Sequence, residues 1–190
     1  MYVENGKLCH VEEEDINSDG TFDFPSDVTI IAAHSFWGCH NLLKLTIPNT
    51  VTLIEDSAFE DCICLHTVFI PDSIRAIGRW AFYNCHALKK VVLPDQILRV
   101  YEGTFKGCNK LSEVVLSDKV NAIDYEAFAY CSELKKITIP DTIMAIGFDA
   151  FLDCMNIEEI IVPNHTIGAK RNLTKRKLED IFYGNDVIPF

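Results

Sequence analysis

Oxygen-rich residues near the amino terminus come closest to a ligand site. Asp15, Asn17, Asp19 and Asp23 occupy the first, third, fifth and ninth positions of a twelve-residue calcium-loop pattern, and Gly20 falls at its turn. The twelfth position, which needs a bidentate Glu, is Ser26, and Pro25 opposes the helix that should follow. Asn, Ser, Asp and Gly are also ordinary turn residues, so the stretch reads either as an acidic β-turn or as a calcium-dependent adhesive loop. Thiol chemistry is the other candidate. Cys39-His40 and Cys85-His86 pair a nucleophile with a base, but sequence neighbours on an extended or tightly turning backbone point apart. Cys62 and Cys64 form a tight pair without the second pair that a zinc site requires. No Gly-rich phosphate loop, Gly-x-Ser-x-Gly elbow or His-Glu-x-x-His is present. The expectation is a protein without enzymatic activity, cofactor or metal.

The elements that would position these groups repeat. A step of twenty-three residues joins Phe36, Phe59, Phe82, Phe105, Phe128 and Phe151. The same step joins Cys39, Cys62, Cys85, Cys108, Cys131 and Cys154, and then Leu42, Leu65, Leu88, Leu111, Leu134 and Ile157. Two strand-like columns follow, Leu45 to Ile160 and Ile47 to Val162, each copy closing on proline except the fourth, which has Ser117. Ahead of each Phe lie Val28 and Ile31 and their equivalents, and then a small residue such as Ser35, Ala58 or Ala81. Apolar residues with a period in the twenties and Leu-x-x-Leu-x-Leu spacing signal a solenoid. Each copy should give a strand, a turn, a second short extended piece and a helical turn that presses Phe inward.

This predicts one elongated domain, an α/β repeat solenoid. It should be a right-handed curved array about 30 Å long, with a parallel β-sheet on the concave face and short helical turns on the flank. Residues 1–27 should cap the first copy with a strand or hairpin. Residues 28–163 hold the six copies. Residues 164–190 should form a second cap, with a short amphipathic helix from Leu173 to Phe182.

Hydrophobic residues make up 48% of the chain, which is ample for burial, yet no run reaches the roughly 18 to 20 residues of a membrane span. A net charge of −11 disfavours general nucleic-acid binding. Charge is unevenly spread, from an acidic head over residues 1–27 to a basic cluster of Lys170, Arg171, Lys175, Arg176 and Lys177. Six of the eight cysteines share one slot, where parallel side chains suit a disulfide poorly, so they are expected to be reduced apolar fillers. The start lacks a basic segment followed by an apolar one, so either the protein stays inside the cell or a signal lies outside this sequence.

The recurring pattern, as in Ile77-Gly78-Arg79-Trp80-Ala81-Phe82-Tyr83-Asn84-Cys85-His86-Ala87-Leu88-Lys89-Lys90-Val91-Val92-Leu93-Pro94, resembles the BspA-like class of leucine-rich repeats, with Cys three residues ahead of the first Leu. The resemblance spans about residues 28–163. It implies a binding solenoid, often at bacterial or protist surfaces and in adhesion to host matrix proteins, and so a cell-surface or secreted location.

Outward strand positions are the candidate partner surface. Thr46, Phe69, Val92, Val115, Thr138 and Ile161 should form one exposed column along the concave sheet, bordered by charged residues that include Lys44, Lys90 and Lys136. An apolar strip rimmed by charge suits a protein partner. On the flank, Trp80, Tyr83 and Trp37 occupy slots that other copies fill with Glu60, Lys106, Ala129, Gly103, Glu126 or Asp149, and are further candidate anchors. Assembly of copies through the ends or edges of the array is the competing reading, and the sequence leaves the oligomeric state open.

Overall fold

The structure is a computed structural model that describes residues 1–161 and 172–173. Each copy contributes two short strands. One set comprises β3 (Ile30–Ile31), β5 (Leu53–Ile54), β7 (Ala76–Ile77), β9 (Arg99–Val100), β11 (Ala122–Ile123) and β13 (Ala145–Ile146). The other comprises β4 (Lys44–Thr46), β6 (Thr67–Phe69), β8 (Lys90–Val92), β10 (Glu113–Val115), β12 (Lys136–Thr138) and β14 (Glu159–Ile161). Pairing within each set is parallel and in register at the twenty-three-residue step, as in Leu45 opposite Val68 and Val114 opposite Val91. The chain is a β-solenoid.

Apolar alternation sets which side chains turn inward. The Phe, Cys and Leu columns are buried in every copy that contains them, and the six Phe rings stack with centroids 4.9 to 5.6 Å apart. Pro48, Pro71, Pro94 and Pro140 follow the second strands of their copies, and the carbonyl of each accepts an amide three residues on, for example Val51 on Pro48 at 3.0 Å. Ser117 makes the same turn with Val120, and its hydroxyl also accepts the Lys119 amide.

The flank differs from the expected helical turns. Its residues form hydrogen-bonded turns, because their amides reach the next copy instead of the preceding turn of a helix. Phe36, Phe59, Phe82, Phe105 and Phe128 each donate to the carbonyl twenty-two residues ahead, at 2.8 to 2.9 Å. Positive φ angles arise at His34, Ser57, Trp80, Gly103, Glu126 and Asp149, and again four residues later in each copy. These left-handed positions redirect the backbone so that alternate amides, such as those of Trp80, Phe82 and Asn84, all point along the array. The resulting ladder runs unbroken from copy to copy. Among the described residues the only helix is the single 3-10 turn Glu13–Asp15.

At the amino end, β1 (Tyr2–Glu4) and β2 (Lys7–His10) form a hairpin, and β2 pairs in parallel with β3. The Leu8 carbonyl accepts the Ala32 amide, and the Gly20 carbonyl takes the Leu43 and Lys44 amides. Phe22 closes the aromatic stack edge-on against Phe36, 4.9 Å away. Glu55 ties the hairpin down through Lys7 and also accepts the Ala33 amide. Burial raises the pKa of the Glu55 carboxyl, but these two partners outweigh it and hold the group below its usual range. At the other end β14 pairs antiparallel with β15 (Asn172–Leu173). Leu173 therefore lies in a strand, and the rest of the expected helix and the basic cluster lie outside the described residues.

Candidate partner-binding surface

The outward strand column is where the register places it. Phe69 is 60% exposed, Val92 48% and Val115 43%, Thr46 and Thr138 are exposed, and Ile161 is half-buried. Lys44, Lys90 and Lys136 stand exposed beside it, and Lys90 pairs with Glu113 at 2.6 Å. In-register parallel pairing keeps Thr46 against Phe69 and Val92 against Val115, so the column is continuous within each pair of strands. A groove of about 840 Å3 opens beside Phe69 and Val92, at the boundary between β6 and β8.

The flank anchors separate. Trp37 is 60% exposed, whereas Trp80 and Tyr83 are only half-buried aromatics. The Trp80 indole lies over Gly103, whose missing side chain leaves room for it. With Tyr83, Ser57, Glu60 and Lys106 it lines a shallow space of about 330 Å3. Lys106 pairs there with Glu126 at 2.5 Å. Burial lowers its pKa, yet the carboxylate outweighs that and holds the ammonium above its usual value. Trp80 and Tyr83 thus contribute much of their surface to packing, which the unlike residues in the same slots of other copies do not reveal.

The amino-terminal loop is occupied with its own bonds. Asp15 pairs with the terminal amine and accepts the Glu12 amide, and Asp19 accepts both the amide and the hydroxyl of Thr21. Asn17 donates to Asp23, and Ile16 and Phe22 turn into the core. Among the described residues no group of three or more His, Cys, Asp or Glu converges as for a metal. Nor is any helix among them long and apolar enough to cross a membrane.

All eight cysteines are free thiols, and the six repeated ones are buried. Their role is more than filling. Cys62 donates its S–H to the Phe36 carbonyl at 3.1 Å, and Cys85, Cys108, Cys131 and Cys154 do the same one copy on. A small side chain that is apolar yet still a weak donor suits that slot. Burial pushes the Cys39 thiol up to about 12 and raises Cys62, Cys85, Cys108 and Cys131 as well, so none is a thiolate at neutral pH. His40 and His86 point outward and are exposed, which separates each from its buried cysteine. A thiol reagent should therefore label half-buried Cys9 and Cys64 in the native protein, and the other six only on unfolding. Fast labelling of any third thiol at pH 7 would contradict this arrangement.

Comparison with known proteins agrees with the repeat. The model of the BspA type leucine rich repeat region, in six copies, matches residues 16–132 and 53–179. No curated protein matches. Among solved structures, the chain is similar to a leucine rich cell surface protein from Faecalibacterium prausnitzii A2-165, at 30% identity and a TM-score of 0.63, covering 75% of this chain and 38% of that one. A leucine-rich repeat protein from Bacteroides ovatus ATCC 8483 is 29% identical with a TM-score of 0.58, over 73% of this chain and 42% of its own. The T. pallidum Leucine Rich Repeat protein shares the fold at 22% identity and a TM-score of 0.68, over 87% of this chain and 84% of its own. The chain thus spans less than half the length of the first two.

Proposed function

The chain belongs to the BspA type leucine-rich repeat family, and from that premise we propose that it is a non-enzymatic module that binds another protein on its strand face. In this reading the array is right-handed and the face built from β4 to β14 is its concave side. The observation that carries it is the exposed column of Phe69, Val92 and Val115, with Thr46, Thr138 and Ile161 at its ends. Val91 and Val114, the core-facing neighbours of Val92 and Val115, are buried, so the core of these strands does not call on the outward residues. Apolar surface left outside a satisfied core, with Lys44, Lys90 and Lys136 at its border, has the composition of an interface centre with a polar rim. Trp80 and Tyr83 serve as secondary anchors on the flank.

Adhesion to a surface or matrix protein is the finer version. It draws support from the Faecalibacterium relative, which is described as a cell surface protein and is 30% identical over 75% of this chain. Cell-surface exposure of this chain is part of the same proposal.

The test is capture from matrix extract and from lysate with the native chain, with Phe69→Glu plus Val92→Glu, and with Trp80→Ala. Placing two carboxylates in a desolvated interface centre should weaken binding by at least roughly 30-fold, the size of a hot-spot loss. Melting should be unchanged, because both side chains are exposed. Capture that survives the strand variant, or self-association with no captured partner, would move the function to the ends and edges of the array.

A further inference from the structure

The ladder of the strand face is interrupted at two places, and at one of them a groove opens. Among the described residues β6 and β8 share no ladder pairing, nor do β10 and β12, whereas β4 pairs with β6, β8 with β10 and β12 with β14. The amides of Ile47, Leu93 and Ile139 each reach the next strand's carbonyl at 2.8 to 3.1 Å, but neither Ile70 nor Leu116 makes such a bond. Between β6 and β8 the core slot opens as well. Val68 is half-buried, while Leu45, Val91, Val114, Ile137 and Ile160 in the same slot are at most 7% exposed. The groove of about 840 Å3 follows this seam.

Charge is ordered along the groove. Lys89 and His66 stand at the end where the strands begin, and Asp72 and Asp95 at the end where they stop. Among the described residues Lys89, Asp72 and Asp95 enter no ion pair, in contrast to Lys90, which Glu113 holds. Six residues separate Lys89 from Asp95, about 20 Å when extended at roughly 3.3 Å per residue. The slot of Lys89 holds Leu43, Ser112, Lys135 and Glu158 in other copies, so this polarity does not run the length of the face.

We infer that the seam between β6 and β8 is the specificity subsite of the binding face, and that its occupant is an extended peptide segment carrying a large apolar side chain between an acidic and a basic residue. The inference rests on the concave-face reading above. The groove lies along the strand direction, as an extended chain would. Its apolar walls, Phe69 and Val92, receive the central side chain. Lys89 faces the acidic residue of the segment, and Asp72 and Asp95 face the basic one.

Fluorescence anisotropy with labelled octapeptides tests this. Each carries a central Leu, flanked two residues away by Glu and Lys in either order, by two Glu or by two Lys. Rim ion pairs are weak singly, so the better mixed-charge peptide should bind roughly three- to tenfold tighter than either like-charged one. In Asp72→Lys plus Asp95→Lys both ends of the groove become basic, and the doubly acidic peptide should become the tightest. Both substitutions lie on exposed residues, and an unchanged melting curve verifies the fold. No charge preference, or a ranking that the double substitution leaves unchanged, would overturn the inference. If Phe69→Glu plus Val92→Glu still abolishes capture of a natural partner, the binding module stands without this subsite. If neither peptide nor partner binds the native chain, both fall. A dimer that forms with concentration and is lost in Phe69→Glu would make a second copy the occupant and also overturn the peptide assignment.

Discussion

Phe82→Ala should lower the stability of the chain by about 3 to 5 kcal/mol. Its ring is fully buried and stacked between Phe59, 5.0 Å away at 13°, and Phe105, 5.5 Å away at 9°. Truncation removes the transfer energy of the ring and leaves a void whose walls belong to two neighbouring copies. Those walls cannot collapse inward. Backbone bonds from Phe59 to Ala81 and from Phe82 to Thr104 hold the spacing between copies on that flank. In a linear array stability is carried by interfaces between neighbours, and this substitution weakens two of them at the centre. Urea denaturation followed by circular dichroism measures the change, and a fall in melting temperature of roughly 6 to 20 °C should accompany it. Phe151→Ala should cost less, since that ring is 7% exposed and stacks on only one other Phe among the described residues. A cost below about 1 kcal/mol for Phe82→Ala would show that the stack is not the main source of cohesion.

Gly103→Val should be the next most damaging change, at about 2 to 4 kcal/mol, the sum of two separable effects. Gly103 has φ of +59°, where a β-branched residue is strained, and a Cβ there would come within 2.2 Å of the Trp80 indole. Gly38 allows the two to be told apart. Its φ is +69° and nothing lies within 4 Å of the corresponding position. Gly38→Val should thus show the backbone cost alone, about 1 to 2 kcal/mol. In the double variant Trp80→Ala plus Gly103→Val the clash disappears while the strain stays, so the two changes should couple instead of adding. Equal costs at Gly38 and Gly103 would mean that Trp80 swings clear freely and does not pack where the structure has it.

The repeat made much of this legible in advance. Phe, Cys and Leu recurring at one step require one environment, and burial in all copies is the only environment that suits six Phe residues. Strand alternation likewise sends Phe69, Val92 and Val115 outward as soon as Val68, Val91 and Val114 are assigned inward. The flank was harder to read. A small residue followed by Phe fits a helical turn as well as a reverse turn, and only the left-handed residues decide between them. One of the two left-handed slots did carry a signal, with Gly38, Asp61, Asn84, Gly107 and Asp153, though not Tyr130, drawn from the residues that tolerate positive φ. The other slot carried a weaker one, with Gly103, Asp149 and His34 set among Ser57, Trp80 and Glu126.

By itself, then, the sequence determined the period, the parallel register and the division between core and surface, because these follow from side-chain hydrophobicity repeated at a fixed spacing. It also determined that no two unlike reactive groups share a buried slot. Only the tertiary structure decided that the flank is a ladder between copies, that Trp80 rests on Gly103, and that the strand face opens between β6 and β8. Each of these depends on how residues in one copy meet different residues in the next, a contact that lies across the repeat. Periodicity records what the copies have in common. The candidate specificity of this protein lies where they differ.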